Sequence, residues 1–122
     1  MSSNTENSLR YSIKTVLYKN EKIFGPGVVT LLELVNETHS LSKASKSMSL
    51  AYTKALKIIK TAEENLGYPL LLRQTGGVSG GGSYLTENAK SIIDAFKTFQ
   101  NNIKHDADHD FLELVEKINK LK

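Results

Sequence analysis

The chain has no cysteine and no tryptophan, and only two prolines among its 122 residues. Without cysteine there is no disulfide framework, zinc-thiolate site or thiol chemistry, and the composition fits a reducing, cytoplasmic setting. No apolar run approaches the roughly 20 residues that a membrane helix requires. The opening MSSNTENSLR lacks a basic stretch followed by an apolar one, so neither a secretory leader nor a membrane anchor is expected. The three histidines, His39, His105 and His109, have no adjacent nucleophile in a defined motif. The serines gather at polar helix starts, where capping accounts for them, so neither an enzyme nor a cofactor is expected. Neither basic nor acidic residues dominate, with 16 Lys and Arg against 13 Asp and Glu for a formal net charge of +3. Its distribution is uneven. Between residues 38 and 73, Lys43, Lys46, Lys54, Lys57, Lys60 and Arg73 are opposed only by Glu63 and Glu64.

A chain of this length supports one modest core, so any function belongs to a single module. Residues 1–8 are small and polar and read as a disordered lead-in. In RYSIKTVLYKNEKIFG, Tyr11, Ile13 and Thr15 alternate with polar residues and KNEK precedes Ile23 and Phe24, which predicts a small β-hairpin. Val28, Leu31, Leu32, Leu34 and Val35 recur at helical spacing behind Pro26, predicting a helix over about 26–37. Ser40 is an N-cap for a short helix carrying Leu41, Ala44 and Met48 on one stripe. A longer helix from Tyr52 to Leu66 follows, with Ala55, Ile59, Ala62 and Leu66 on one face and Gly67 as its stop. Only MSLA lies between the two, so they form a helix-turn-helix whose second member is basic on its outer side.

Pro69 stops the helix from resuming, LLLR and SYLT read as paired strands, and Thr86 is the N-cap of a C-terminal helix. Between those strands, QTGGVSGGGSYLT packs five of the eight glycines into one short uncharged stretch. A phosphate cradle of the P-loop kind needs a lysine after the last glycine, and GGGSY supplies none. A flexible linker fits the composition, but it would separate Arg73 from a strand and helix that belong to the same fold. A wing is the better reading: glycine lets backbone N–H groups approach phosphates closely and permits positive φ.

The stretch from Ser40 to Ala89 closely resembles the N-terminal winged helix-turn-helix of the ModE and LysR families of bacterial transcriptional regulators. The residues that carry it are the Ser-Leu-Ser-x-Ala opening at Ser40–Ala44 and EENLGYPLLLR at Glu63–Arg73, with Thr75-Gly76-Gly77, Gly80-Gly81-Gly82 and Leu85-Thr86. The glycine wing is similar to ModE in particular, as is the hairpin ending Ile23-Phe24-Gly25, and the likeness runs over about residues 10–104. The resemblance implies a dimeric transcription factor that binds double-stranded DNA. The chain departs from the family's pattern at Ser49, where the turn usually has glycine, at Ala51, where the second helix usually has a serine cap, and at Leu56, often tryptophan. Only about 18 residues follow Lys104, so a molybdate-binding or LysR-type effector domain is not expected here.

The implied fold is mainly α with a small β component: N-terminal β-hairpin, helix-turn-helix, two-stranded wing and long C-terminal dimerisation helix. It divides into residues 9–86 for DNA binding and 87–122 for dimerisation. Lysines on an isolated helix ordinarily mark a solvated face. On the second helix of a helix-turn-helix they take another reading, with Tyr52, Thr53, Leu56 and Lys57 facing bases in the major groove. Ser42, Lys43, Lys46, Lys54, Lys60, Arg73, Thr75, Gly76, Gly77, Gly80 and Gly81 are expected at the DNA backbone.

In the C-terminal helix, Ile92 and Ile93 read as core. Phe96, Phe99, Ile103, Phe111, Leu114 and Ile118 continue as a seam that a domain of this size cannot cover alone, which predicts a homodimer interface. In HDADHD, His105 and His109 stand one helical turn apart among acids, a spacing that could hold a divalent metal. The preferred reading is a polar break in which Asp110 caps a second helix with Glu113 completing a capping box. No metal, membrane or small-molecule effector is expected as a partner. The rival function is a winged-helix module that binds protein instead of DNA.

Overall fold

The structure, a computed structural model, describes residues 8–74 and 82–122. Asn20 adopts the left-handed conformation at φ 69°, which its short polar side chain tolerates, and turns the chain between β1 (Leu17–Lys19) and β2 (Glu21–Phe24). The pair is antiparallel, with Lys19 opposite Glu21 and Leu17 opposite Phe24. The first strand thus starts at Leu17 and excludes Tyr11 and Ile13, because the turn position fixes which residues can face Ile23 and Phe24.

Pro26 opens α1 (Pro26–Thr38), and His39, left-handed at φ 56°, closes it by donating its N–H to the Val35 carbonyl at 2.7 Å. Ser40 caps α2 (Leu41–Ser47), its Oγ accepting the Lys43 N–H at 3.0 Å. α3 (Tyr52–Leu66) stops at Gly67, whose φ of 91° is a conformation glycine reaches without strain. β3 (Leu71–Gln74) and β4 (Gly82–Leu85) then pair antiparallel with Leu71 opposite Leu85. Thr86 accepts the Ala89 N–H at 3.0 Å at the start of α4 (Glu87–Lys120).

Thr15–Phe96 forms one compact unit. Its core takes Phe24 from β2, Leu31, Leu32 and Val35 from α1, Leu41 and Ala44 from α2, Ala55, Ile59 and Ala62 from α3, and Ile93 from α4. Each helix turns its apolar stripe inward, and β2 packs on α3 while β4 packs on α1. Phe96 corrects an expectation. It is 4% exposed and sits edge-on to Phe24 at 5.2 Å between ring centres, so it completes this core and is not a dimer-interface residue.

The second unit joins the described part of Met1–Lys14 to Lys97–Lys122. Here too one expectation is corrected: α4 runs unbroken from Glu87 to Lys120, so Asp110 is inside the helix and caps nothing. HDADHD contains no glycine or proline, and the Lys104–Asp108 ion pair one turn apart at 3.2 Å supports the helix through it, with His109 Nε2 3.6 Å from Glu113. Tyr11 lies against this stretch, its ring 4.9 Å from that of Phe111 and its hydroxyl donating to the Asp108 carboxylate. No helix among the described residues is long and apolar enough to cross a membrane.

Candidate nucleic-acid interface

Because Ala55, Ile59 and Ala62 are buried on one side of α3, the other side must face outward. It carries Thr53, Lys54, Lys57 and Lys60, all exposed. Tyr52, at the first position of the helix, is 40% exposed. Leu56 is half-buried and packs on the core, lining a cleft with Ile59, Lys60, Glu63, Leu71 and Arg73. Of the four residues expected at the bases, Thr53 and Lys57 therefore share the outer face, while Tyr52 and Leu56 are turned towards β3.

The link between α2 and α3 is short because two backbone features close it. Leu50 donates its N–H to the Ser45 carbonyl at 2.9 Å, and Ser49 takes a left-handed φ of 56°. Ser45 is buried and returns its own Oγ hydrogen to the Leu41 carbonyl at 2.6 Å. On the outer side of α2, Ser42, Lys43 and Lys46 are exposed. Ala51 provides no side-chain cap for α3, so the first-turn amides keep their capacity to bond an anion.

The strands of the wing are fixed to the helices at both ends. Glu63, on α3, accepts the backbone N–H of Leu70 at 2.8 Å and of Leu71 at 3.2 Å through one carboxylate oxygen. Thr86 donates its hydroxyl to the Pro69 carbonyl at 2.8 Å, and its N–H bonds the Leu70 carbonyl at 3.0 Å. On β4, Ser83 donates its N–H to the His39 carbonyl at 2.9 Å, and Tyr84 stacks on the His39 ring at 4.6 Å. A Cβ on Gly82 would stand 2.8 Å from that same carbonyl, so the close approach of β4 to the end of α1 requires glycine.

β3 also reaches the start of α3 directly. The Arg73 guanidinium donates to the Tyr52 hydroxyl at 2.8 Å and lies 5.9 Å from the centre of its ring. The base of β3 is thus joined to the first turn of α3, and Lys60 lines the same cleft as Arg73. Thr75, Gly76, Gly77, Gly80 and Gly81 lie outside the described residues. Glu63 and His39 were not singled out from the sequence as parts of the site. The signal for Glu63 was faint: an acid one turn before a helix-stopping glycine, with Pro69 close behind. For His39 there was none, because its contribution is a backbone carbonyl.

His105 and His109 do not converge. His105 Nδ1 is 3.7 Å from Asp106 and His109 Nε2 is 3.6 Å from Glu113, and among the described residues no three acids or histidines group as a metal site.

Residues 28–90 match the model of the bacterial regulatory helix-turn-helix proteins of the lysR family. The chain belongs to that family. Its helix-turn-helix is also similar to the "Transcriptional regulator ModE" of Haemophilus influenzae, 28% identical over 102 residues that make up 84% of this chain and 38% of that protein. The "Molybdenum transport protein ModE" of Azotobacter vinelandii is 31% identical over 72 residues, 59% of this chain and 27% of the relative. The "Molybdenum-pterin-binding protein MopB" of Rhodobacter capsulatus is 27% identical over 88 residues, 72% of this chain and 33% of the relative. The chain spans between about a quarter and two-fifths of the length of these relatives. Family and relatives together make this a ModE-like regulatory helix-turn-helix domain of bacterial type.

Proposed function

We propose that the chain binds duplex DNA sequence-specifically as a homodimeric transcriptional regulator. In this reading α3 enters the major groove with Tyr52, Thr53, Leu56 and Lys57 near the bases. Ser42, Lys43, Lys46, Lys54, Lys60 and Arg73 meet phosphates, and the glycine-rich wing of residues 74–83 follows the flanking backbone. The observation that carries it is the single outward surface on which the α3 lysines stand beside a strand joined to the helix start by Arg73 and Tyr52. A surface of that sign attracts a polyanion, and Arg73 tethers β3 to the end of the helix that reaches the bases in this reading.

Dimerisation in this reading uses the distal part of α4. Leu114 is 53% and Ile118 37% exposed, Phe99 is exposed, and Ile103 and Phe111 are half-buried along the same helix. Apolar side chains repeating on one face of a long helix are energetically placed to meet a second copy. Two α3 helices held about 34 Å apart read a two-fold site, and each alone binds weakly.

The test is fluorescence anisotropy on duplex DNA with the unaltered chain and with Lys54→Ala/Lys57→Ala. Affinity for the unaltered chain should fall steeply with salt, on the order of a thousandfold between 50 and 200 mM if some six phosphates are neutralised per dimer. The double substitution should weaken binding and flatten that slope. Salt-independent association, or unchanged affinity of the variant at low salt, points instead to a protein-binding module and overturns the reading.

A further inference from the structure

We infer that Tyr52 is a specificity-determining residue that selects a hydrogen-bond acceptor on a base edge, and that Arg73 is the positioning residue that fixes its polarity. The inference rests on the DNA-binding reading and narrows what α3 recognises. A phenol hydroxyl both donates and accepts, so a tyrosine alone does not discriminate acceptor from donor on a base. Arg73 removes that ambiguity. A guanidinium has five N–H donors and no acceptor, so the 2.8 Å bond to the Tyr52 hydroxyl can run only from arginine nitrogen to phenol oxygen. The oxygen is thereby occupied as an acceptor, and the phenol hydrogen cannot be directed at Arg73. It is left to donate outward.

Position adds to polarity. Tyr52 is the first residue of α3, the end from which a recognition helix reaches base edges, and it is partly exposed there. The Arg73 guanidinium also lies 5.9 Å from the ring centre, so the phenol is held by its ring and by its oxygen, and its direction is set before DNA arrives. Arg73 is itself carried by β3, whose start Glu63 ties to α3 through the Leu70 and Leu71 amides. The chain of contacts from α3 to β3 and back makes the orientation of Tyr52 a property of the fold. A donor in the major groove matches purine N7, guanine O6 or thymine O4 and rejects the cytosine amino group, which is the only group cytosine shows there. Guanine, with two acceptors, is the best match.

The experiment is selection of binding sites from random duplexes by the full chain, by Tyr52→Phe and by Arg73→Met. The unaltered chain should disfavour cytosine at one position of each half-site, about fivefold for one hydrogen bond. Tyr52→Phe should erase the discrimination at that position and leave the rest of the profile intact. Arg73→Met, which frees the phenol oxygen to accept, should admit cytosine at the same position. The inference is overturned if Tyr52→Phe keeps the original profile, or if the position it alters prefers cytosine in the unaltered chain. If the unaltered chain selects no sequence at all, the DNA-binding reading falls and this inference with it. Should Arg73→Met not fold, Tyr52→Phe alone decides, since removal of an exposed hydroxyl leaves the core untouched.

Discussion

One carboxylate oxygen of Glu63 holds two backbone amides, Leu70 at 2.8 Å and Leu71 at 3.2 Å, and so sets the place where β3 leaves α3. Leu70 is fully buried, so its amide has no access to water if the carboxylate is lost. Glu63→Ala should therefore destabilise the chain by about 2 kcal/mol in urea unfolding, the range for losing charge-assisted bonds at a buried donor. Glu63→Gln retains an acceptor and should lose less than half of that. Hydrogen exchange at the Leu70 and Leu71 amides should accelerate in the alanine variant. Slow exchange at both would show that Glu63 does not anchor the strand.

At the helix-turn-helix link the relevant quantity is backbone strain. Ser49 is left-handed at φ 56°, a conformation that costs a residue with a Cβ roughly 1–2 kcal/mol. Glycine removes that cost but adds freedom to the unfolded chain, an opposing effect of about 0.4–1 kcal/mol. Ser49→Gly should accordingly raise stability by about 0.5 kcal/mol, read as a small upward shift in Tm, and Ser49→Val should lower it by more than 1 kcal/mol. A Ser49→Gly variant no more stable than the original would mean that other contacts of the serine offset the strain.

Much of this architecture was legible in the residues, and the exceptions have separate physical causes. Pro26, Ser40, Gly67 and Thr86 each mark a helix end by a chemistry that acts locally, and α3 begins and ends where its apolar period and Gly67 place it. The start of the hairpin was misplaced because alternation in Tyr11–Thr15 resembles a strand, while the register is set by Asn20 five residues on. The supposed break at HDADHD failed because acids that cap helices are also tolerated inside them when lysine and histidine stand one turn away. The Glu63 and Arg73 contacts join residues that are 7 and 21 positions from their partners, and no local pattern encodes such distances.

Phe96 and Leu114 lie on one apolar seam but differ in exposure. Phe96 is 4% exposed against Phe24, whereas Leu114 is 53% exposed. Phe96→Ala should cost about 3–5 kcal/mol, as expected for a phenylalanine removed from a core, and should do so at any protein concentration. Leu114→Asp should leave the fold of Thr15–Phe96 intact but shift the chain from dimer to monomer in sedimentation equilibrium. A Leu114→Asp chain with the same assembly state as the original would remove the distal part of α4 from the proposed interface.

The contact of Tyr11 with Asp108 makes the second unit sensitive to pH at both extremes. The Tyr11 hydroxyl donates to the Asp108 carboxylate, which Lys104 also meets at 3.2 and 3.3 Å. The bond from Tyr11, followed in size by the opposing effect of burial and then by Lys104, leaves Asp108 below the ordinary carboxylate range. The same bond, with burial and the negative charge of Asp108, pushes the Tyr11 phenol up to about 12. A lowered carboxylate stabilises the folded arrangement above its unfolded pKa near ~4, and this is lost as pH falls through the lower folded value. A raised phenol works in the opposite direction: its contribution is complete below about 10 and is lost as pH rises through about 12. The contact should hold between about pH 5 and pH 10. In a 295 nm titration, Tyr11 should contribute a late phase near 12, and Tyr11→Phe should remove it. Asp108→Asn should move it down towards 10, because the carboxylate charge and its acceptor strength are lost together. If Asp108→Asn leaves the titration unchanged, the N-terminal segment is not held to α4 by this pair.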